Sequence, residues 1–214
     1  MKKCYIVGGG DFFADAFRPD EDALIIAADA GYKVLCDIGV TPHIVVGDFD
    51  SLGYTPEHPD VESHSPIKDD TDMMLAVERG IENGCDEFYI FGATGGRIAH
   101  TLGNLQVLGF VAEKGFAGYI FDLDTVITAI NSCALFFDEN ASGYISLMPF
   151  GCEKANVTLS GFKYDVERCD LPCNRPLGIS NEFTGDSARL TVHSGTVVAV
   201  WENTAVLPVK EVSE

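Results

Sequence analysis

His43-Ile44-Val45-Val46-Gly47-Asp48-Phe49-Asp50-Ser51 begins as a run of β-branched residues, stops at a glycine and gives way to two carboxylates. An uninterrupted apolar run of this length, closed by a polar turn, reads as a strand buried on both faces, as in a parallel sheet. Carboxylates at i and i+2 on extended chain point the same way. Side by side they repel, unless water or a cation lies between them. An acidic loop that merely caps the next segment is the simpler alternative, but turn chemistry alone does not call for the second Asp.

The same grammar recurs on both sides of this stretch. Residues 4–7 run into Gly8-Gly9-Gly10-Asp11, and residues 24–28 into Asp29-Ala30-Gly31. Residues 88–91 run into Gly92-Ala93-Thr94-Gly95-Gly96-Arg97, and a fifth strand over 119–122 ends in Asp122-Leu123-Asp124. Strands alternating with helical stretches predict an α/β fold: a mainly parallel, Rossmann-like sheet with crossover helices. In such sheets ligands bind beyond the carboxyl ends of the strands, where the first four of these turns converge. Gly8-x-Gly10 is a partial dinucleotide fingerprint, with Phe13 where the third glycine belongs. It fits a tight turn that lets a phosphate approach the backbone, and equally a plain strand-to-helix turn. Asp29 is either a site residue or the N-cap of a helix over 32–38.

Ser65-Pro66-Ile67-Lys68-Asp69-Asp70-Thr71-Asp72 leads into a helix whose apolar residues are Met73, Ala76, Val77, Gly80 and Ile81. That spacing is helical and marks core. Asp69 with Asp72 three residues on resembles a capping box, yet three acids beside Lys68, read together with Asp48 and Asp50, also suit a metal-phosphate site. In the glycine-rich turn, Gly95 and Gly96 let backbone N–H groups approach an anion at the start of the next helix, and Arg97 offers a planar fork of donors. His100 is expected as a contact only. Ile98, Leu102, Leu105 and Leu108 recur at helical intervals and should face the sheet.

Beyond about residue 130 the pattern changes. Residues 133–137, 144–148, 155–159, 189–193 and 197–201 read as short strands without helical periodicity between them, so a C-terminal all-β sandwich follows the α/β part. The division expected is 1–128 and 129–214. Ser194-Gly195 suggests a hairpin between the last two strands. Residues 164–182 form a long polar insertion of the kind that closes over a ligand, and Trp201 is expected in the core.

Composition limits the partners. The chain has 214 residues and 46% apolar content, enough for a substantial core. Asp and Glu number 33 against 14 Lys and Arg, a formal charge of -19, which argues against nucleic acid or an anionic membrane as partner. Phosphates would be bound through metal ions and a few local donors. No apolar run approaches the roughly 18 residues of a membrane span, and the N-terminal residues reach glycines too soon for a signal peptide, so a cytoplasmic protein is expected. The 7 cysteines are scattered without a Cys-x-x-Cys pair and read as reduced thiols.

Taken in order, Asp29-Ala30-Gly31, Gly47-Asp48-Phe49-Asp50-Ser51, Lys68-Asp69-x-Thr71-Asp72, Gly92-Ala93-x-Gly95-Gly96-Arg97-x-x-His100 and Gly178-Ile179-Ser180-Asn181-Glu182 resemble the bacterial thiamine pyrophosphokinases across nearly the whole chain. The resemblance implies a homodimer that moves a pyrophosphoryl group from ATP to thiamine, with Mg2+ as the metal. It implies catalytic roles for Asp48, Asp50, Asp72 and Arg97, with the three aspartates as magnesium ligands. Gly9, Gly10, Asp29, Gly31, Gly95, Gly96, Arg97 and His100 would contact ATP. Lys68, Asp69, Asp72, Ser180 and Asn181 would contact thiamine. In one place the chain departs from the family pattern: Ala99 stands where the family has an Asp of the metal site, and Asp122, if it approaches the cleft from the neighbouring strand, would be the acid to replace it. Asp48-Phe49-Asp50 also resembles the nucleophile motif of the haloacid-dehalogenase-like phosphatases, although two strand-turn units precede it here. A binding protein that has lost catalysis through Ala99 is the other alternative.

Overall fold

The structure, a computed structural model, describes residues 2–63, 70–202 and 207–212. The chain forms two compact units, one of residues 1–107 with 118–123 and one of residues 108–117 with 124–214.

The first unit is built on strands β1 (Lys3–Val7), β2 (Leu24–Ala28), β3 (Ile44–Gly47), β4 (Val61–Ser63), β5 (Glu87–Phe91) and β6 (Ala117–Phe121). Their order across the sheet is β6-β5-β1-β2-β3-β4, and β1 pairs in parallel with both β2 and β5. The chain first winds outward from β1 through β2 and β3, then returns to place β5 on the other side of β1. Order reverses at the β1/β5 boundary, the place where open α/β sheets leave a crevice for ligands.

Alternation along the strands separates two apolar faces. Cys4 on β1 and Phe88 on β5 meet helix α2 (Asp72–Glu82), where Gly80 brings the helix backbone against both. On the opposite face Tyr5, Tyr89, Phe91 and Phe121 stack, with ring centroids 4.7 to 6.2 Å apart, and Phe12 and Phe17 close over them. Burial, then the hydrogen bond to the Glu87 carboxylate, pushes the Tyr89 phenol well above its usual range. Of the stripe read from the sequence, Met73, Ala76, Val77 and Gly80 are buried and Ile81 is half-buried. The cap is not the expected one, however. Thr71, in extended conformation, accepts from Met74 N, so α2 begins at Asp72, and Asp69 lies outside the described residues together with Lys68. Helix α1 (Gly31–Asp37) has Ala30 at its N-cap and no side-chain cap, so Asp29 does not serve as one.

Helix α3 (Ile98–Glu113) corrects a second expectation. Leu108 is buried, as are Val107, Val111 and Ala112, but Ile98 is 73% and Leu102 55% exposed. Apolar residues lie almost all round this helix, so periodicity did not single out the covered face.

The second unit contains β7 (Thr125–Asn131), β8 (Cys133–Phe137), β9 (Tyr144–Pro149), β10 (Lys154–Ser160), β11 (Val166–Pro172), β12 (Asn181–Glu182), β13 (Ala188–Ser194), β14 (Thr196–Glu202) and β15 (Val209–Val212). The run β12-β9-β14-β7 is antiparallel. So is the five-stranded sheet β11-β10-β13-β8-β15. Inner residues of the two sets interdigitate, with Trp201 fully buried edge-on to Phe137 at 5.6 Å and Phe162 and Phe183 completing the cluster.

β13 and β14 do not form the expected hairpin. β13 pairs with β10 and β8, whereas β14 pairs with β7 and β9. The single linking residue, Gly195 at φ 78, turns the chain from one sheet to the other, and Ser132 at φ 47 does the same between β7 and β8. Asn131 Nδ2 donates to Thr196 Oγ1 at 2.9 Å, tying the two corners together. Nor is 164–182 a strandless insertion. It holds the edge strand β11 and the two-residue β12, both with polar outer positions that hide strand periodicity.

Candidate active site

The turns after β1, β2, β3 and β5 and the N-terminus of α2 surround one cavity of about 560 Å³. Close backbone packing brings the turns together. Gly8 N donates to Phe91 O and Gly10 N to Gly92 O, each at 2.8 Å, and Asp11 N donates to Thr94 O at 2.9 Å. A side chain on Gly10 would overlap the carbonyl oxygen of Thr94, so the first and fourth turns can meet only through glycine.

The turn after β3 is not the extended chain expected from the sequence: Phe49 is left-handed at φ 61, and the chain turns on the Asp48 side chain. Phe49, 3% exposed, enters the core while Asp48 and Asp50 turn outward. Asp48 Oδ1 accepts from Asp50 N at 3.1 Å, and Ser51 Oγ donates to Asp50 Oδ1 at 3.2 Å. Asp29 arrives from the neighbouring strand end, its N–H bonded to Val46 O at 2.8 Å and its backbone left-handed at φ 48. One ligand oxygen from each of Asp29, Asp48 and Asp50 lies within 4.8 Å of the others. Asp29 Oδ1 is buried and has no hydrogen-bond partner among the described residues. A buried carboxylate oxygen left unpartnered beside two further carboxylates is destabilising on its own and matches the all-oxygen donor set of a hard divalent cation. The residues therefore fit magnesium.

Asp72, at the first position of α2, lines the same cavity outside that triplet. Gly9, Gly10, Gly95, Gly96, Arg97 and His100 line it too. Gly31 stands one residue beyond the lining residue Ala30 and opens α1. Ala99, exposed in the first turn of α3, also lines the cavity, but Asp122 does not. Asp122, whose Oδ1 accepts from Leu123 N at 2.8 Å, is not among the residues that line the cavity and so does not take the place of the missing family Asp there.

Ser180 and Asn181 belong to the second unit. Ser180 is exposed, in left-handed backbone at φ 59, with its N–H bonded to Ser146 Oγ. Asn181 is buried and fully engaged. Its Oδ1 accepts from Tyr164 N and Glu182 N, and its Nδ2 donates to Tyr164 O. Two residues not singled out from sequence contribute to the first unit's cavity. Asn104 Nδ2 holds Ala93 O at 2.7 Å, and Thr94 is 6% exposed in the cavity wall. Neither belongs to a spacing pattern that would have marked it.

A parallel sheet that gathers carboxylates and a glycine-rich, helix-opening turn at its carboxyl edge defines an α/β protein with a candidate ligand cavity at the usual place for such sheets. Comparison narrows this class. Residues 19–117 match the family model "Thiamin pyrophosphokinase, catalytic domain", and residues 133–197 match "Thiamin pyrophosphokinase, vitamin B1 binding domain". Thiamine pyrophosphokinase of Bacillus subtilis is 32% identical over 94% of this chain and 98% of its own length. The crystal structure of the B. subtilis enzyme superposes with a TM-score of 0.83 at 29% identity, covering 95% of this chain and all of the other. That of thiamin pyrophosphokinase from Geobacillus thermodenitrificans superposes with a TM-score of 0.81 at 29% identity, covering 96% and 99%. The chain belongs to the thiamin pyrophosphokinase family, and it is an enzyme of that family.

Proposed function

We propose that this enzyme transfers the pyrophosphoryl group of ATP to the hydroxyethyl oxygen of thiamine, giving thiamine diphosphate and AMP, as a cytoplasmic homodimer. The observation that carries the reading is the carboxylate triplet with its unpartnered Asp29 oxygen, set opposite the glycine-rich turn in one cavity. In this reading Asp29, Asp48 and Asp50 hold magnesium, which neutralises phosphate charge when bound. Asp29 thereby moves from the nucleotide contact expected of it to the metal itself. Arg97 supplies a planar fork to phosphate oxygens and Gly96 leaves open space for them, while Gly9, Gly10 and Gly95, whose side-chain space is taken by neighbouring turns, contact the phosphates through their backbone. His100 lies one residue from Ala99 at the same rim and contacts the nucleotide. Asp72 borders the acceptor alcohol together with Lys68 and Asp69, and Ser180 and Asn181 serve the thiamine pocket across the homodimer.

The new bond joins the thiamine oxygen to the β-phosphorus of ATP, and the bond from that phosphorus to the α-phosphate bridging oxygen breaks. The alcohol's proton leaves to Asp72 or to water. The protein does little covalent work, and positioning with charge neutralisation supplies the rate. Incubation with ATP, magnesium and thiamine should yield AMP and thiamine diphosphate in equal amounts by phosphorus NMR and chromatography. Inorganic phosphate without AMP would instead establish the phosphatase chemistry, and substrate binding without product would establish a binding protein.

The Ala99 position gives a second test. Because Asp122 does not reach the cavity, an added carboxylate at Ala99 finds no acid already in its place. Ala99→Asp is expected to lower the magnesium concentration for half-maximal activity about tenfold, the value of roughly 1.4 kcal/mol of extra cation affinity. An unchanged magnesium titration would mean that another group already supplies the fourth acid.

A further inference from the structure

Thr94 occupies the variable position of the glycine-rich turn and has no role in the reading above. Its surroundings are rigid. Thr94 O accepts from Asp11 N, the preceding Ala93 O accepts from Asn104 Nδ2, and Gly92, Gly95 and Gly96 on either side are all left-handed at φ 62, 78 and 58. The residue is 6% exposed and lines the cavity, yet its Oγ1 is buried without a hydrogen-bond partner among the described residues. Packing alone would be served as well by valine, which has nearly the same shape and leaves no polar atom unsatisfied. A buried hydroxyl with nothing to bond is explained if its partner arrives with a ligand.

The ligand chemistry follows from the position. Thr94 stands four residues before Ile98, the start of helix α3, and lines the cavity with Gly95, Gly96 and Arg97, whose N–H donors favour a negatively charged ligand. A group that reaches it there is an oxyanion that accepts. We propose that the Thr94 hydroxyl donates a hydrogen bond to a non-bridging phosphate oxygen of the nucleoside triphosphate, which makes Thr94 a binding residue that fixes the polyphosphate against the β5 turn. This inference rests on the reading that the first unit's cavity takes magnesium ATP.

Thr94→Val and Thr94→Ser separate the hydroxyl from the methyl group. Thr94→Val is expected to raise KM for ATP about tenfold, the effect of one hydrogen bond to a charged acceptor, with kcat changed less than about threefold. Its melting temperature without ligand, in EDTA, should equal or exceed that of the unsubstituted protein, while the rise produced by magnesium ATP becomes clearly smaller. Thr94→Ser should keep both the KM and the ligand-induced rise. The proposal is overturned if Thr94→Val loses stability in EDTA, since the hydroxyl would then have a partner in the protein. It is overturned equally if Thr94→Ser behaves like Thr94→Val, or if magnesium ATP stabilises Thr94→Val as strongly as the unsubstituted chain. If magnesium ATP does not raise the melting temperature of the unsubstituted chain, the nucleotide reading of the cavity falls and this inference falls with it.

Discussion

Asp48→Asn is expected to lower kcat/KM for thiamine diphosphate formation about 10²- to 10³-fold, as removal of one preorganised electrostatic group at a charged transition state does. The same substitution should raise the melting temperature in EDTA. Asp29, Asp48 and Asp50 hold three like charges within 4.8 Å of one another. Asp29 adds an unpartnered buried oxygen and a left-handed backbone. At an effective dielectric near 20 each such pair repels by a few kcal/mol before screening, and Asp50 is exposed, so only about 1 kcal/mol should be recovered. For a chain of this size that corresponds to a rise of about 2–4 °C. Asparagine keeps an oxygen to accept from Asp50 N, so the turn itself is preserved. Scanning fluorimetry in EDTA and in magnesium, paired with steady-state kinetics, reads both signs. A fall in melting temperature in EDTA would mean that the triplet is held by contacts other than a cation and that the carboxylates are structural.

Opposed signs of this kind are the physical mark of a site, and they explain which parts of it could be read from the sequence. The β3 turn is legible because two acids follow directly on an apolar strand, although the turn that brings both to the cavity, with Phe49 left-handed at φ 61 and buried between them, is not the extended chain that the spacing suggests. Asp29 was ambiguous because a single acid after a strand is also what a helix cap looks like. Only the fold shows that α1 is capped at Ala30 and that β2 lies beside β3, bringing Asp29 to Asp48. Thr94 carried no signal, since an unsatisfied hydroxyl is a property of the packed turn and not of residue order. Among the elements, the parallel strands β1, β2, β3 and β5 are legible as continuous apolar runs, but β4, the short Val61–Ser63, is not. Strand β11, with exposed positions in sequence, and the sheet-changing corners at Ser132 and Gly195 were not, because edge strands need only one covered face and a one-residue corner resembles a tight turn. Helix α3 failed in the opposite way. Too many apolar residues, rather than too few, hid the face that packs.

Gly31→Ala is expected to be the most destabilising single-methyl change near the site. Gly31 opens α1 directly after the Asp29-Ala30 turn, and a methyl group there would overlap the carbonyl oxygen of Val7, at the end of β1. A backbone carbonyl cannot rotate away as a side chain can, and Val7 is held in the middle of the sheet between β2 and β5. The helix must therefore lift from β1. Overpacking against an immovable wall destabilises by about 3 kcal/mol or more, which for a chain of this length lowers the melting temperature by roughly 6–12 °C. Ordinary helix propensity predicts the opposite sign, because alanine is favoured over glycine in a helix by roughly 1 kcal/mol. The measured direction therefore decides whether close approach or propensity governs this position. Displacement of α1 also shifts Asp29, two residues upstream, from Asp48 and Asp50. The protein that remains folded should accordingly need more magnesium for half-maximal activity, whereas Gly39→Ala, where a side chain meets nothing within 4 Å but the backbone is left-handed at φ 74, should lose stability without that change in magnesium dependence.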